Sequence, residues 1–187
     1  MSDTPIPGYP LRPGRVHEVC GPGAPAFAAI CAAPGTGPVL WIREAHTREA
    51  LTPQGLLPFL DPARLLIAQT RTPADSLAVA EEALKDGTVP LVVLAVTRPL
   101  DLREGRRLQL AAGAGGATGL CLIPEGMGSN AAETRWRATP RLAPQPGPDS
   151  TPFRWESIKN KSGTTGAWDV LWEPATHRLR VVSPSRE

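Results

Sequence analysis

Arg15-Val16-His17-Glu18-Val19-Cys20-Gly21-Pro22-Gly23-Ala24-Pro25-Ala26-Phe27-Ala28 is the stretch on which the reading of the fold turns. Arg15 to Cys20 is a short, largely apolar run that suits a strand, Gly21-Pro22-Gly23 breaks regular structure, and Pro25 to Ala33 is a small-residue segment that suits a helix. A strand passing through a glycine turn into a helix opens many parallel sheets, and in three-layer nucleotide-binding folds that turn cradles phosphates. Working outward, Val39–Ile42, Arg64–Ala68, Leu91–Val96 and Thr118–Ile123 are bounded by turn signals and apolar enough to be buried on both faces, as parallel strands are. Pro73–Lys85 places Leu77, Ala80 and Leu84 on one face, with proline at its start and Gly87 just past its end, as a crossover helix does. Leu102–Ala112 is a second such helix, with Arg103, Arg106 and Arg107 gathered on one side.

After Pro124 the pattern changes to alternation. Thr134–Ala138, Phe153–Lys159, Ala167–Glu173 and Arg178–Val182 read as short strands, carrying Trp136, Trp155, Trp168 and Trp172, and are expected as antiparallel additions to the sheet edge. The expected fold class is therefore α/β: a mostly parallel sheet flanked by helices, with antiparallel C-terminal strands. The domain expectation is a disordered or extended segment at residues 1–13, one domain at 14–182 and a tail at 183–187. Residues 140–152, dense in proline, are expected as an exposed loop inside that domain, since the roughly 35 residues beyond them are too few for a separate core.

The 187 residues carry 20 Lys and Arg against 18 Asp and Glu, so net charge makes no strong case for nucleic acid. Its distribution is uneven: between Arg135 and Lys161 six basic residues face only Asp149 and Glu156. No apolar run nears the roughly 20 residues of a membrane-spanning helix. The N-terminus has neither a basic start nor an apolar stretch, so a cytoplasmic protein without membrane contact is expected. Cys20, Cys31 and Cys121 are odd in number and widely spaced, which points to buried thiols rather than disulfides or a zinc site. His17, His46 and His177 are scattered, and Ser129 has no fitting histidine and acid, so neither a metal nor nucleophilic catalysis is expected.

The loop itself lacks the groups its position calls for. Pro22 and Pro25 remove two backbone donors, and no Lys, Ser or Thr lies between Gly14 and Pro34 to hold outer phosphates or magnesium. From Arg15 to Val182 the chain resembles the RecA recombinase core, and more closely the RecA-like SulA/ImuA group of damage-inducible mutagenesis accessory proteins. Arg15 to Pro22 is similar to the strand and start of the RecA phosphate loop. On that motif Gly21 and Gly23 remain, Phe27 falls where RecA has its lysine, and Ala28 falls where it has the hydroxyl. Trp41-Ile42-Arg43-Glu44-Ala45-His46 resembles the stretch carrying the RecA catalytic glutamate, with Ala45 in its place and Glu44 one residue early, a slip that turns a side chain to the other face of a strand. Ala95 stands for the magnesium-associated aspartate, and the second DNA-binding loop is reduced to about Glu125–Ala131.

One element keeps its functional residues. Glu156-Ser157-Ile158-Lys159-Asn160-Lys161-Ser162-Gly163 resembles the strand with which RecA reaches across a subunit interface to its neighbour's ATP, and charges at i and i+2 share one strand face. The resemblance implies a protein without ATP hydrolysis, cofactor or metal: an adaptor in SOS-induced translesion synthesis. Its implied partners are the RecA filament, the ImuB polymerase-like protein and, through it, an error-prone replicative-type polymerase. Lys159, Asn160, Lys161, Arg103, Arg106 and Arg107 are the expected partner-binding residues. Two other readings compete: a SulA-like inhibitor of cell division, and a DNA-binding module, with weak DNA contact through Arg103, Arg106, Arg107 and the basic C-terminal strands.

Overall fold

Every residue of Val16–Cys20 (β1) is buried, because β1 pairs on both edges and is covered on both faces. In the computed structural model, which describes residues 5–47, 51–142 and 151–184, it lies in one nine-stranded sheet. The other strands are Val39–Glu44 (β2), Leu65–Thr70 (β3), Leu91–Ala95 (β4), Thr118–Leu122 (β5), Thr134–Pro140 (β6), Thr151–Asn160 (β7), Gly166–Glu173 (β8) and Arg178–Pro184 (β9). Their order is β3-β2-β4-β5-β1-β6-β7-β8-β9. The predicted architecture is present, a mostly parallel sheet ending in antiparallel strands.

Two expectations about the strands are corrected. β6 is not antiparallel: it pairs parallel to β1, Trp136 opposite Val19, and the antiparallel meander begins only between β6 and β7. Alternation in β6 reports one covered face and one open face, a pattern that strand direction does not alter. β3 is not buried on both faces. It is the terminal strand, and Leu66 and Ile67 are about half exposed, 49% and 50%.

The helices divide between the faces. Ala24–Ala32 (α1) packs on one side, and its buried Phe27, Ala28 and Ile30 share an apolar cluster with Trp41, Trp136, Trp155 and Trp172. Pro53–Leu56 (α2), a single turn capped by Thr52, adds Leu56 to that cluster. On the other side lie Pro73–Asp86 (α3), capped by Thr72 and ended by left-handed Gly87, and Leu102–Gly115 (α4), begun by a reciprocal Asp101–Glu104 capping box. They cover Val16, Ile42, Val92, Leu94 and Cys121. All three cysteines are free; Cys20 and Cys121 are buried and Cys31 is half-buried.

Residues 5–13, expected as a disordered or extended segment, form neither helix nor strand but are packed: Ile6 and Leu11 are buried, and Tyr9 sets its ring edge-on to Trp155. Most of the proline-rich segment 140–152 and the end of the 183–187 tail lie outside the described residues, while β9 takes in Ser183 and Pro184. No helix among the described residues is long and apolar enough to cross a membrane.

His17 is fully buried on β1, bonded through Nδ1 to Thr134 Oγ1 at 2.7 Å and through Nε2 to the Arg12 carbonyl at 3.0 Å. Thr134 Oγ1 also accepts the Trp136 indole N–H at 2.8 Å. Burial lowers the His17 pKa, so as pH falls below about 6.5 the unfolded chain binds a proton that the folded chain refuses. Stability in urea titrations is expected to decline from about pH 7 to about pH 5, and to decline less steeply in His17→Asn, which cannot titrate.

Candidate functional site

The loop after β1 is built by close backbone approach to β6. Gly21 has φ of 89°, and a Cβ there would stand 2.7 Å from the Ala138 carbonyl oxygen; one on Gly23 would stand 2.9 Å from it. The Gly23 N–H donates to that same oxygen at 2.9 Å, so a donor that could have faced phosphate is spent on β6. Phe27, at the lysine position, points into the core. It is fully buried, with ring centroids 4.5 Å from Trp155 and 5.7 Å from Trp136. Ala28 is equally buried. Beside the loop is a cleft of about 270 Å³ lined by Pro22, Pro25, Ala26, Thr52, Leu56 and Phe59, with no charged side chain among the described residues that line it.

The neighbouring strand ends match this. Glu44 is 2% exposed and shares its strand face with Ile42, on the side of α3 and α4, away from α1. Its Oε1 accepts from Thr97 Oγ1 at 2.6 Å, and His46 Nδ1 lies 3.6 Å from its Oε2. A carboxylate held there braces the start of the β4–α4 connection. The charges nearest the loop are paired as well: Arg137, whose stem lies 3.4 Å from a Cβ on Gly21, donates to Glu125 at 2.7 Å and to Glu156 at 3.1 Å.

Lys159 and Lys161 lie below the loop, from the middle of β1 towards its start. Because β7 runs antiparallel to β6, with Lys159 opposite Arg135, its last residues reach the end at which β1 begins. Along the strand direction Lys159 is level with Glu18, three residues or about 10 Å from Gly21, and Lys161 is level with the start of β1, about 16 Å from it. Lys159 Nζ donates to the Asn130 carbonyl at 2.9 Å and Lys161 Nζ to the Ala131 carbonyl at 2.8 Å, so the two ammonium groups reach one loop from one side. Burial, then Lys161 and Arg135, lower the pKa of Lys159. Asn160 does different work: its Oδ1 accepts from the Ser162 N–H at 3.1 Å and its Nδ2 donates to the Thr164 carbonyl at 3.2 Å, shaping the turn into β8.

The loop these lysines touch is clamped from below by groups that reading the motifs one by one misses. Glu18, 1% exposed, accepts the Ser129 N–H on Oε1 and Arg135 Nε on Oε2, both at 2.8 Å. Arg135 Nη2 donates to the Ser129 carbonyl at 3.0 Å, and Gln109 Nε2 to the carbonyls of Ala131 and Val16 at 3.0 and 2.9 Å. The signal was a glutamate inside the apolar run Val-His-Glu-Val, since a carboxylate there needs a cationic partner.

The arginines of α4 separate. Arg107 pairs with Glu81 of α3, whereas Arg103 and Arg106 are exposed with no ion pair among the described residues. Trp136, Trp155, Trp168 and Trp172 are all buried, so none offers a ring face to a nucleic-acid base. No group of three or more metal-ligating side chains occurs among the described residues. Removing the Glu18 carboxylate strands Arg135 and loosens the loop. Glu18→Ala is expected to cost about 3 kcal/mol in chemical denaturation and to speed amide exchange at Ser129.

No family model matches the chain. Protein ImuA of Caulobacter vibrioides, strains NA1000 / CB15N and ATCC 19089 / CIP 103742 / CB 15, is 33% identical over 210 residues, covering 95% of this chain and 84% of the relative. The crystal structure of the RadB recombinase superimposes with a TM-score of 0.66 at 15% identity, covering 92% of each chain, which gives the fold. Relationship and fold together support a role in damage-inducible mutagenesis. With a RecA-like core and a curated relative matched along almost its whole length, the chain belongs to the ImuA family.

Proposed function

We propose that this protein is a non-catalytic RecA-like adaptor in error-prone translesion DNA synthesis, binding the RecA filament and the ImuB polymerase-like protein. The observation that carries the reading is Phe27. At the position of the phosphate-binding lysine, the chain has a ring sealed between α1 and the tryptophans of β6 and β7. Gly21 and Gly23 serve a close approach to Ala138, and Ala45 and Ala95 bring no carboxylate to the strand ends. A chain that neither holds nor hydrolyses ATP can still meet a neighbour's nucleotide. Lys159 and Lys161 lie towards the other end of the strands from the degenerate loop, in the sense that a head-to-tail contact requires. On this reading the protein docks at one end of an ATP-bound filament as a pseudo-protomer, and the filament stops there because its own loop cannot continue the ATP-bridged series.

Docking asks the two ammonium groups to exchange carbonyl partners at residues 130 and 131 for phosphate oxygens, a charge-assisted contact stronger than the one released. A DNA-binding role has less behind it, because the tryptophans are buried and Arg107 is paired.

The test is binding of the purified protein to RecA on single-stranded DNA with a non-hydrolysable ATP analogue, with ADP and without nucleotide. Binding confined to the ATP-like state, far below one molecule per RecA, and weakened at least about tenfold by Lys159→Ala with Lys161→Ala, is the expected result. Equal binding in all three states, or no effect of the double substitution, contradicts the docking mechanism.

A further inference from the structure

The two ends of the sheet are guarded differently. β9 carries Arg178 and Arg180 along its length and ends in Pro184, the charges and missing N–H that keep an edge from recruiting another strand. β3, Leu65-Leu66-Ile67-Ala68-Gln69-Thr70, has no charge and no proline, and among the described residues it is hydrogen-bonded on one side only, to β2. Neighbouring residues of a strand point to opposite faces, yet Leu66 and Ile67 are both about half exposed. Both faces of the edge are thus apolar and uncovered. Leu66 shares its face with Ala68, on the side of the sheet that α3 covers, and Val79 of α3 is 36% exposed.

We propose that β3 is a dimerisation edge, pairing antiparallel with β3 of a second copy about a two-fold axis perpendicular to the sheet. The strand is self-complementary in that register. A two-fold perpendicular to the sheet pairs residues of equal parity, since directly opposed side chains share a face. Centred on Ile67, it sets Ile67 against Ile67 of the second copy, Leu66 against Ala68, Leu65 against Gln69 and Arg64 against Thr70. No like charges oppose one another, and Arg71 falls opposite Ala63. One face buries Leu66 and Ala68 from both copies, and the other buries the Ile67 pair. Pairing β3 with β9 of another copy would instead lay Arg178 and Arg180 beside this apolar edge, and being head-to-tail it would run on into a ring or filament. The two-fold register closes with two copies and leaves β9 at each outer edge. This inference stands apart from the proposed function, since it uses neither the loop nor the lysines.

The experiment is sedimentation equilibrium of the purified protein from low micromolar to about 100 μM, with Ile67→Lys in parallel. A wild-type mass that rises to twice that of the chain, with Ile67→Lys at least about tenfold weaker in self-association and unchanged in far-ultraviolet dichroism, supports the proposal. If Ile67→Lys fails to fold, Ile67→Cys gives the reading. The register puts the two introduced thiols opposite one another, so mild oxidation yields a covalent dimer absent from the wild type and from Leu57→Cys. A monomeric wild type over the whole range, a dimer that Ile67→Lys leaves intact, or no cross-link through Ile67→Cys in a protein that sediments as a dimer, overturns it. A monomer would leave the edge to a strand of a different protein.

Discussion

The rest of the structure is arranged around the ring of Phe27. A helix that follows a strand and glycine turn in a phosphate-binding fold keeps its first turn polar and open to the anion. Here that first turn is drawn down onto the sheet, because a fully buried aromatic ring contacts Trp155 and Trp136. The glycines of the loop then serve proximity to the Ala138 carbonyl, and the Gly23 N–H completes a bond to β6. Backbone donors at a helix start bind anions only when nothing else has satisfied them. The packing that stabilises the β1–α1 unit occupies the same backbone and side-chain positions that a phosphate would need.

That contact also explains why β6 through β8 stay with the parallel core. Trp136, Trp155, Trp168 and Trp172 all face α1, α2 and the N-terminal segment, so the meander is joined to the core through one apolar cluster and not by strand pairing alone. Its opposite face carries a ladder of paired charges in which Arg137, Glu156 and Arg154 follow one another across the strands. The sheet therefore has an apolar β1–α1 loop at one end and, nearer the other, a loop fastened by Glu18, Arg135, Lys159 and Lys161. A head-to-tail partner would meet these two ends as unlike surfaces, the geometry from which the adaptor reading is drawn.

Much of this was legible in the residues. The apolar runs at β1, β2, β4 and β5 and the capped crossover helices pointed to the fold class, and the loop's want of a lysine or hydroxyl is matched by the buried Phe27 and Ala28. The direction of β6 was not legible, because alternation records which faces are covered and is blind to whether neighbours run parallel. Nor was the exposure of β3: an apolar run reads as buried, and only the strand order shows that it ends the sheet. Lys159 and Lys161 were visible as a pair on one face, but not their carbonyl partners at residues 130 and 131, since loop and strand meet only through the return from β5 to β6. The Arg107–Glu81 pair was hidden for a like reason, joining two helices separated by β4.

The central claim is that the place of a nucleotide's phosphates is filled by protein. Titration of the purified protein with a fluorescent ATP analogue in the presence of magnesium, competed by unlabelled ATP, tests it most directly. The account predicts no saturable signal at concentrations up to about 1 mM, where a site would have to be worth less than about 4 kcal/mol to escape detection. Saturable, magnesium-dependent binding displaced by ATP and abolished by substitution at Gly21 would contradict it.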